Sequence, residues 1–498
     1  MGPFDFPTEI DDQQVYRQTV ARLGENGVTL PTFAQLADPF ALPDTLRSSL
    51  MSVDPDAADP ANLFRVHWYN APDRKGLART PAHIVLPESL TGVPAKIVVA
   101  LGAHFPMINA HKVLAAYACL APRLVTGRFD PSRQRAVWPS TGNYCRGGIA
   151  ISRILGCRGV AVLPEGMSQE RFDWLKAWVA DEADIIRTPG TESNVKEIYD
   201  KCAELERNPD NEIVNQFSEF GNYLGHYACT GPALRRVFED IQENSPDTRL
   251  TAFVAASGSA GTLGAGDYLK DKLSARIAVV EPIECPTLLY NGYGEHNIQG
   301  IGDKHVPLIH NVTNSDFVIA VPDTATDGLN VLFNSAEGQR YLSQRIGVDA
   351  GIVSALQYFG LSSICNMLAA IKLAKYLNLK EQDVIVTVAT DPASMYETEK
   401  ARTLHKLGWD GVDSDGAAQL CGAHLQSVAT DHVLETDEVD RNRMFNLGYY
   451  TWVEQQGISV ADFDKRRDQS FWRGLHDLIP IWDELIMRFN KDTRSAAA

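Results

Sequence analysis

One lysine and two polar turns carry the residue types from which covalent chemistry on a small molecule can be built. Lys112 ends Asn109-Ala110-His111-Lys112, downstream of the apolar run Ile97-Val98-Val99-Ala100-Leu101, and heads the apolar stretch Val113-Leu114-Ala115-Ala116-Tyr117-Ala118. Taken alone, a lysine is most often a solvated surface residue. At the head of a helix this apolar it is expected to be partly buried, and burial lowers an amine's pKa and makes it a nucleophile able to form a Schiff base. The second group is Ser140-Thr141-Gly142-Asn143, which gathers hydroxyls, backbone N–H groups and an amide in one tight turn. It reads either as an ordinary helix N-cap or as a loop that holds a carboxylate, with Asn143 against a ligand oxygen. The third is Gly258-Ser259-Ala260-Gly261-Thr262, between the strand-like Phe253-Val254-Ala255-Ala256 and a helical pattern from Leu263. A small-residue turn opening a helix presents N–H groups and the positive end of the helix dipole, which suits a phosphate. Two rival readings are a plain tight turn and a dinucleotide site, with Gly258, Gly261 and Gly264 as the glycine fingerprint and Glu281 as the ribose-binding acid.

A lysine amine, a polar turn and a phosphate nest together suit one small molecule with an aldehyde and a phosphate, and pyridoxal 5'-phosphate (PLP) is such a molecule. The elements that must position them alternate. Short β-branched runs at 95–101, 159–163, 184–187, 252–256, 276–281, 317–321 and 384–388 predict strands. Longer patterns at 168–181, 192–206, 227–244 and 361–376 predict helices. This alternation predicts βαβ units, mostly parallel sheet, and ligands outside the carboxyl ends of the strands. Residues 1–60 are broken by Pro and Asp and read as an extension. Beyond 400 the strand-like runs disappear, and aromatic and charged residues recur at helical spacing, as in Phe471-Trp472-Arg473-Gly474-Leu475.

Composition bounds the function. The 498 residues exceed one ordinary core, so two or more domains are expected. With 44% hydrophobic and 22% charged residues the chain is of the globular class. A net charge of −17 disfavours nucleic acid and anionic membrane as partners. No apolar run reaches the roughly 18 residues of a membrane span. The acidic start and eight scattered cysteines without a CxxC pair predict a cytoplasmic protein with reduced thiols. The histidines show no metal-ligand spacing, and no metal is expected.

In chain order these motifs resemble those of the PLP-dependent β-family (fold type II, tryptophan synthase β-like), close in pattern to cysteine synthase and cystathionine β-synthase. The resemblance covers residues 80–396. It rests on Asn-Ala-His-Lys112, Ser140-Thr141-Gly142-Asn143, Leu163-Pro164-Glu165-Gly166-Met167-Ser168, Gly258-Ser259-Ala260-Gly261-Thr262, Ile298-Gln299-Gly300-Ile301-Gly302, Gly360-Leu361-Ser362-Ser363 and Ala389-Thr390-Asp391. The chain departs from the family wording at His111, at Tyr144-Cys145-Arg146 and at Ala260, which replaces a loop glycine.

The resemblance implies an α/β protein of two three-layer αβα domains with mostly parallel sheets and PLP in the cleft between them. The expected division is an N-terminal extension over 1–78, a large PLP-binding domain over 79–108 and 222–396, a smaller mobile domain over 109–221, and a mainly helical C-terminal extension over 397–498. It implies that Lys112 is Schiff-base former and general base. Asn143, Gly258, Ser259, Ala260, Gly261, Thr262 and Thr390 are then cofactor-binding residues, with Asp391 the rival of Thr390 for the pyridine nitrogen. Ser140, Thr141, Gly142, Asn143 and Arg146 are the expected substrate contacts. Asp303 and His305 fall near the expected mouth without an assigned role. The expected activity is α,β-elimination on a small amino acid with a β-leaving group, giving a 2-oxo acid. The alternatives are β-replacement, a nicotinamide-dependent dehydrogenase, and a binding protein. A homodimer is expected.

Overall fold

The computed structural model describes residues 2–497. Its strands are β1 (His83–Leu86), β2 (Lys96–Leu101), β3 (Arg135–Pro139), β4 (Arg158–Pro164), β5 (Ile185–Thr188), β6 (Asn211–Ile213), β7 (Arg249–Ala256), β8 (Arg276–Pro282), β9 (Phe317–Val321), β10 (Asp383–Ala389) and β11 (Val433–Glu435). They form a seven-stranded sheet in the order β1-β2-β10-β7-β8-β9-β11 and a four-stranded sheet in the order β5-β4-β3-β6. The small sheet is parallel throughout. The large one is parallel except at its two edges, where β1 and β11 run antiparallel to their neighbours.

The sequence of β10, Asp383-Val-Ile-Val-Thr-Val-Ala389, is buried at every position because it lies mid-sheet between β2 and β7 with helices on both faces. Its alternate side chains divide between two cores. Val384, Val386 and Val388 face the one that also holds the Lys112 helix, and Ile385 and Ala389 face the other. Each expected strand is present, with ends that move by up to three residues, and 317–321 and the helix Leu361–Tyr376 fall on the expected residues. The C-terminal extension differs from expectation in one element. Val433-Leu434-Glu435 forms β11, pairing with Phe317, Val318 and Ile319 and covering an edge that β9 would otherwise leave open.

Four connections leave the carboxyl ends of parallel strands and converge. β2 leads to Lys112, which opens the helix Lys112–Val125. β3 leads to Ser140–Asn143, and Asn143 opens the helix Asn143–Ile154. β7 leads to Gly258–Thr262 and the helix Leu263–Leu273. β10 leads to Thr390 and Asp391. The side chain of Asn366 locks two of these ends together: its Oδ1 accepts from Ala256 N–H at 2.8 Å and its Nδ2 donates to the Val388 carbonyl at 3.0 Å.

Candidate active site

Lys112, Ser140, Thr141, Asn143, Tyr144, Gly258, Ser259, Ala260, Thr262 and Thr390 line one cavity where the two sheets' strand ends meet. Gln216, Gln299, Gly300, Ile301, Ser362 and Asn366 also line it. Lys112 is half-buried there, and its amine donates to Ser259 Oγ at 3.1 Å. Burial pulls the Lys112 amine down to about 8, while Asp303 and Glu192 hold it from falling further. A lysine near neutrality is a nucleophile and a base at working pH.

The turn after β7 is built to receive an anion. Among the described residues, the backbone N–H groups of Ser259, Ala260, Gly261 and Thr262 donate to no protein acceptor. Ser259 Oγ already accepts from Lys112 and from Asn222 Nδ2 at 3.0 Å, so its own proton remains for a ligand. A side chain at Gly258 would run into the carbonyl of Gly300, its Cβ only 2.4 Å from that oxygen. Gly261, expected at the ligand, instead backs onto Asn222, whose Oδ1 a Cβ would meet at 2.0 Å; its role is to let the turn close. Ala260 holds φ +67°, a left-handed backbone normally given to glycine. Free N–H groups, hydroxyls, a helix N-terminus and a nearby amine fit pyridoxal phosphate: cradle for the phosphate, Lys112 for the aldehyde.

The carboxylate turn rests on a buried polar network that the sequence did not disclose. Asn143 Nδ2 donates to Asp391 Oδ2 at 2.7 Å, and Asn143 Oδ1 accepts from Arg146 Nη1 at 2.9 Å. One acceptor and one donor thus fix the direction of the amide. Arg171 pairs with Asp391 at 3.4 Å, donates to the Tyr396 hydroxyl at 2.7 Å and donates to Gln299 Oε1. Gln299 Oε1 also accepts from Ser168 N–H at 3.1 Å. Gly142 sits at φ +146°, and a Cβ there would lie 2.6 Å from Arg171 Nε, so no other residue can carry the turn over the guanidinium.

Two of the expected substrate contacts lie outside the cavity lining. Arg146 is not a cavity contact: it is buried behind Asn143 with its guanidinium 5.0 Å from the Trp174 ring centroid. Gly142 turns the loop and does not form the cavity wall. Cys145, next to it, donates to the Gly142 carbonyl, and burial pushes its thiol up to about 12, so it is packing and not a nucleophile. Asp391 is consumed by Asn143, Arg171 and Tyr396, whereas Thr390 and Ser362 reach the cavity. The dinucleotide reading also fails. Glu281 is buried and accepts from the N–H groups of Leu288 and Leu289 at 3.0 and 2.8 Å, where no ribose can reach it.

Sequence reasoning passed over Gln216, Ser362, Arg171, Glu192 and Tyr396. Ser362 lies inside the Gly360-Leu361-Ser362-Ser363 motif, so its signal was present. Arg171 and Tyr396 had none, because each belongs to an amphipathic stretch where an arginine or tyrosine is ordinarily a surface residue.

The family model described as "Pyridoxal-phosphate dependent enzyme" matches residues 79–391, more than half of the chain and all four strand-end loops. The cysteine synthase of Staphylococcus aureus is 31% identical over 273 residues, covering 54% of this chain and 77% of that protein. An O-acetylserine dependent cystathionine beta-synthase structure from Helicobacter pylori has a TM-score of 0.52 at 25% identity, covering 64% of this chain and 95% of that one. A hydrogen sulfide-producing enzyme from Fusobacterium nucleatum shares the fold with a TM-score of 0.51 at 22% identity, over 64% of this chain and 96% of that one. The amine, the anion cradle and the loops between them thus fall within one family match, and the protein belongs to the pyridoxal-phosphate dependent enzymes, as a relative of the cysteine synthases.

Proposed function

We propose that the protein removes the β-substituent of a 2-amino acid by α,β-elimination and releases a 2-oxo acid. One observation carries the β-chemistry: beside the cradle the cavity offers the hydroxyls of Thr390 and Ser362 but no free carboxylate, since Asp391 is held by Arg171, Asn143 and Tyr396. A cofactor nitrogen facing neutral hydroxyls stays largely unprotonated, and prompt departure of a β-group is then favoured over a long-lived carbanion.

The chain's own residues divide the work. Ser140, Thr141 and Asn143 hold the substrate carboxylate, with Gln216 also lining the cavity. The Lys112 amine, once released, takes the Cα proton. Bound pyridoxal phosphate supplies the electron sink for the pair left on Cα. Ser259, Thr262 and the free N–H groups anchor its phosphate. The buried wall excludes bulk water until the β-group has left.

A second reading, β-replacement, is supported by the 31% identity to a cysteine synthase. Elimination is favoured because Tyr144, bulkier than its counterparts in the family wording, lines the cavity and leaves less room in it for a second substrate. Incubation with a panel of β-substituted amino acids, with and without a thiol, separates the two. A 2-oxo acid formed without thiol is the expected result; a thioether formed only with thiol would give the reaction to replacement. We further propose a cytoplasmic homodimer, consistent with eight unpaired cysteines and with exposed Tyr290, Tyr293 and Tyr450. Sedimentation as a monomer would contradict the dimer.

A further inference from the structure

His111 stands one residue before Lys112, where the chain departs from the family wording, and its ring is engaged with the phosphate cradle. Its Nε2 lies 3.4 Å from the Oγ1 of Thr262, the last residue of the cradle and part of the cavity lining. The residue is 1% exposed. The Trp68 indole lies against the imidazole with ring centroids 5.4 Å apart and a tilt of 31°. The His226 ring stands edge-on to it at 5.2 Å and 84°, and Phe105 adds a second edge contact at 6.5 Å.

Nothing else in this shell bonds to the imidazole. His111 Nδ1 is buried without a partner, and so is His226 Nε2. His226 Nδ1 and Trp68 Nε1 are both taken up by Thr230 Oγ1, each at 2.8 Å. Burial, with the Lys112 charge beside it, holds His111 well below the ordinary imidazole range, so the ring is neutral and carries one proton. Either nitrogen could hold that proton. On Nδ1 it would be a buried N–H with no acceptor; on Nε2 the orphan is only a lone pair, and orphaned buried N–H groups are the rarer of the two. The proton therefore belongs on Nε2, which donates it to Thr262 Oγ1. A hydroxyl that accepts on one side is free to send its own proton to another. Among the described residues Thr262 Oγ1 has no partner besides His111.

Resting on the reading of this turn as the phosphate cradle, we propose that His111 is a positioning residue: its Nε2–H holds Thr262 Oγ1 as an acceptor, so that the hydroxyl proton is given to the cofactor phosphate. The cradle then consists of donors alone. The N–H groups of Ser259, Ala260, Gly261 and Thr262 bond to no protein acceptor, Ser259 Oγ is occupied as an acceptor by Asn222, and Thr262 Oγ1 by His111. A phosphate dianion has only acceptors to offer, and hydrogen bonds to it are charge-assisted. The opposite tautomer would draw the Thr262 proton to the ring and turn a lone pair toward the phosphate charge.

The test compares PLP with pyridoxal, which has the same ring and aldehyde but no phosphate, as ligands of the full-length apo-protein, with binding read from the absorbance of the bound ligand. His111→Asn, whose amide reaches only the place of Nδ1, is expected to weaken PLP about tenfold and pyridoxal by no more than about twofold. His111→Gln, whose amide nitrogen reaches the place of Nε2, is expected to keep PLP within about threefold of the wild type. Thr262→Val is expected to weaken PLP about tenfold, and adding His111→Asn to it to cost no more than about twofold further, since His111 acts through that hydroxyl alone. Equal loss of PLP and pyridoxal overturns the proposal, because it marks a merely structural role. So do equal losses in the Asn and Gln variants, or losses that multiply in the double variant. If Thr262→Val binds PLP as tightly as the wild type, the reading of the cradle itself fails, and the role of His111 falls with it.

Discussion

Ala260 occupies a left-handed backbone position in the phosphate cradle, where its Cβ adds strain that glycine would not. Ala260→Gly is therefore expected to raise stability by about 1 kcal/mol, read as an upward shift in thermal midpoint. Asp391 presents the opposite situation. It neutralises a fully buried Arg171, and both side chains are 0% exposed. Asp391→Ala is expected to cost about 3–5 kcal/mol because it strands that charge. Lys112 gives a pH dependence. Its amine is pulled to about 8 by burial, so below that pH the protonated form predominates and cannot attack an aldehyde. Capture of PLP by the apo-protein is expected to slow about tenfold per pH unit below that value and to level off above it. The midpoint belongs to Lys112 together with Asp303, which titrates beside it. Lys112, Ser259 and Thr262 were legible because their residue types stand in order after strand ends. Arg146 was misread because position along a chain does not say which side of a helix a side chain leaves, and here it leaves toward Asn143 and Trp174.

The elements outside the family match are tied to the body and to each other. The helix Gln13–Glu25 packs on the helix Leu478–Ala497, and Tyr16 donates to Asp492 at 2.7 Å. Asp483 accepts from the N–H groups of Phe33 and Ala34, and Trp482 Nε1 donates to the Pro7 carbonyl at 2.8 Å. A second set of contacts braces the segment that follows Asp303. Trp452 Nε1 donates to the Val306 carbonyl at 2.7 Å, and Arg466 Nη1 donates to the Leu308 carbonyl at 2.8 Å. The C-terminal extension thereby braces the segment that continues from Gln299, Gly300 and Ile301 of the cavity wall. Trp482→Ala is expected to destabilise by about 3–5 kcal/mol, measured by denaturant unfolding, as loss of a fully packed indole does. The helical character of this region was readable from its periodicity. β11 was not, since three residues against an edge strand carry no pattern of their own.

At the scale of the molecule, two sheets bring their carboxyl-end loops to one cleft, and side chains from both meet there. Asn143 and Arg171, from the helices after β3 and β4, bind Asp391 and Gln299, from the loops after β10 and β8. A strand order such as β1-β2-β10-β7-β8-β9-β11 cannot be read from spacing, because β10 enters mid-sheet from late in the chain. The cleft was legible all the same, since ligands of parallel sheets gather at strand ends whatever the order. No helix among the described residues is long and apolar enough to cross a membrane. The central claim is that Lys112 carries the cofactor in this cleft. Its most direct test is borohydride reduction of the purified protein, followed by mass analysis of its peptides. The expected result is a yellow protein whose colour is lost on reduction and whose phosphopyridoxyl label lies on Lys112, with neither colour nor label in Lys112→Ala. A label on another lysine, or a wild-type protein that binds no PLP, would contradict the claim.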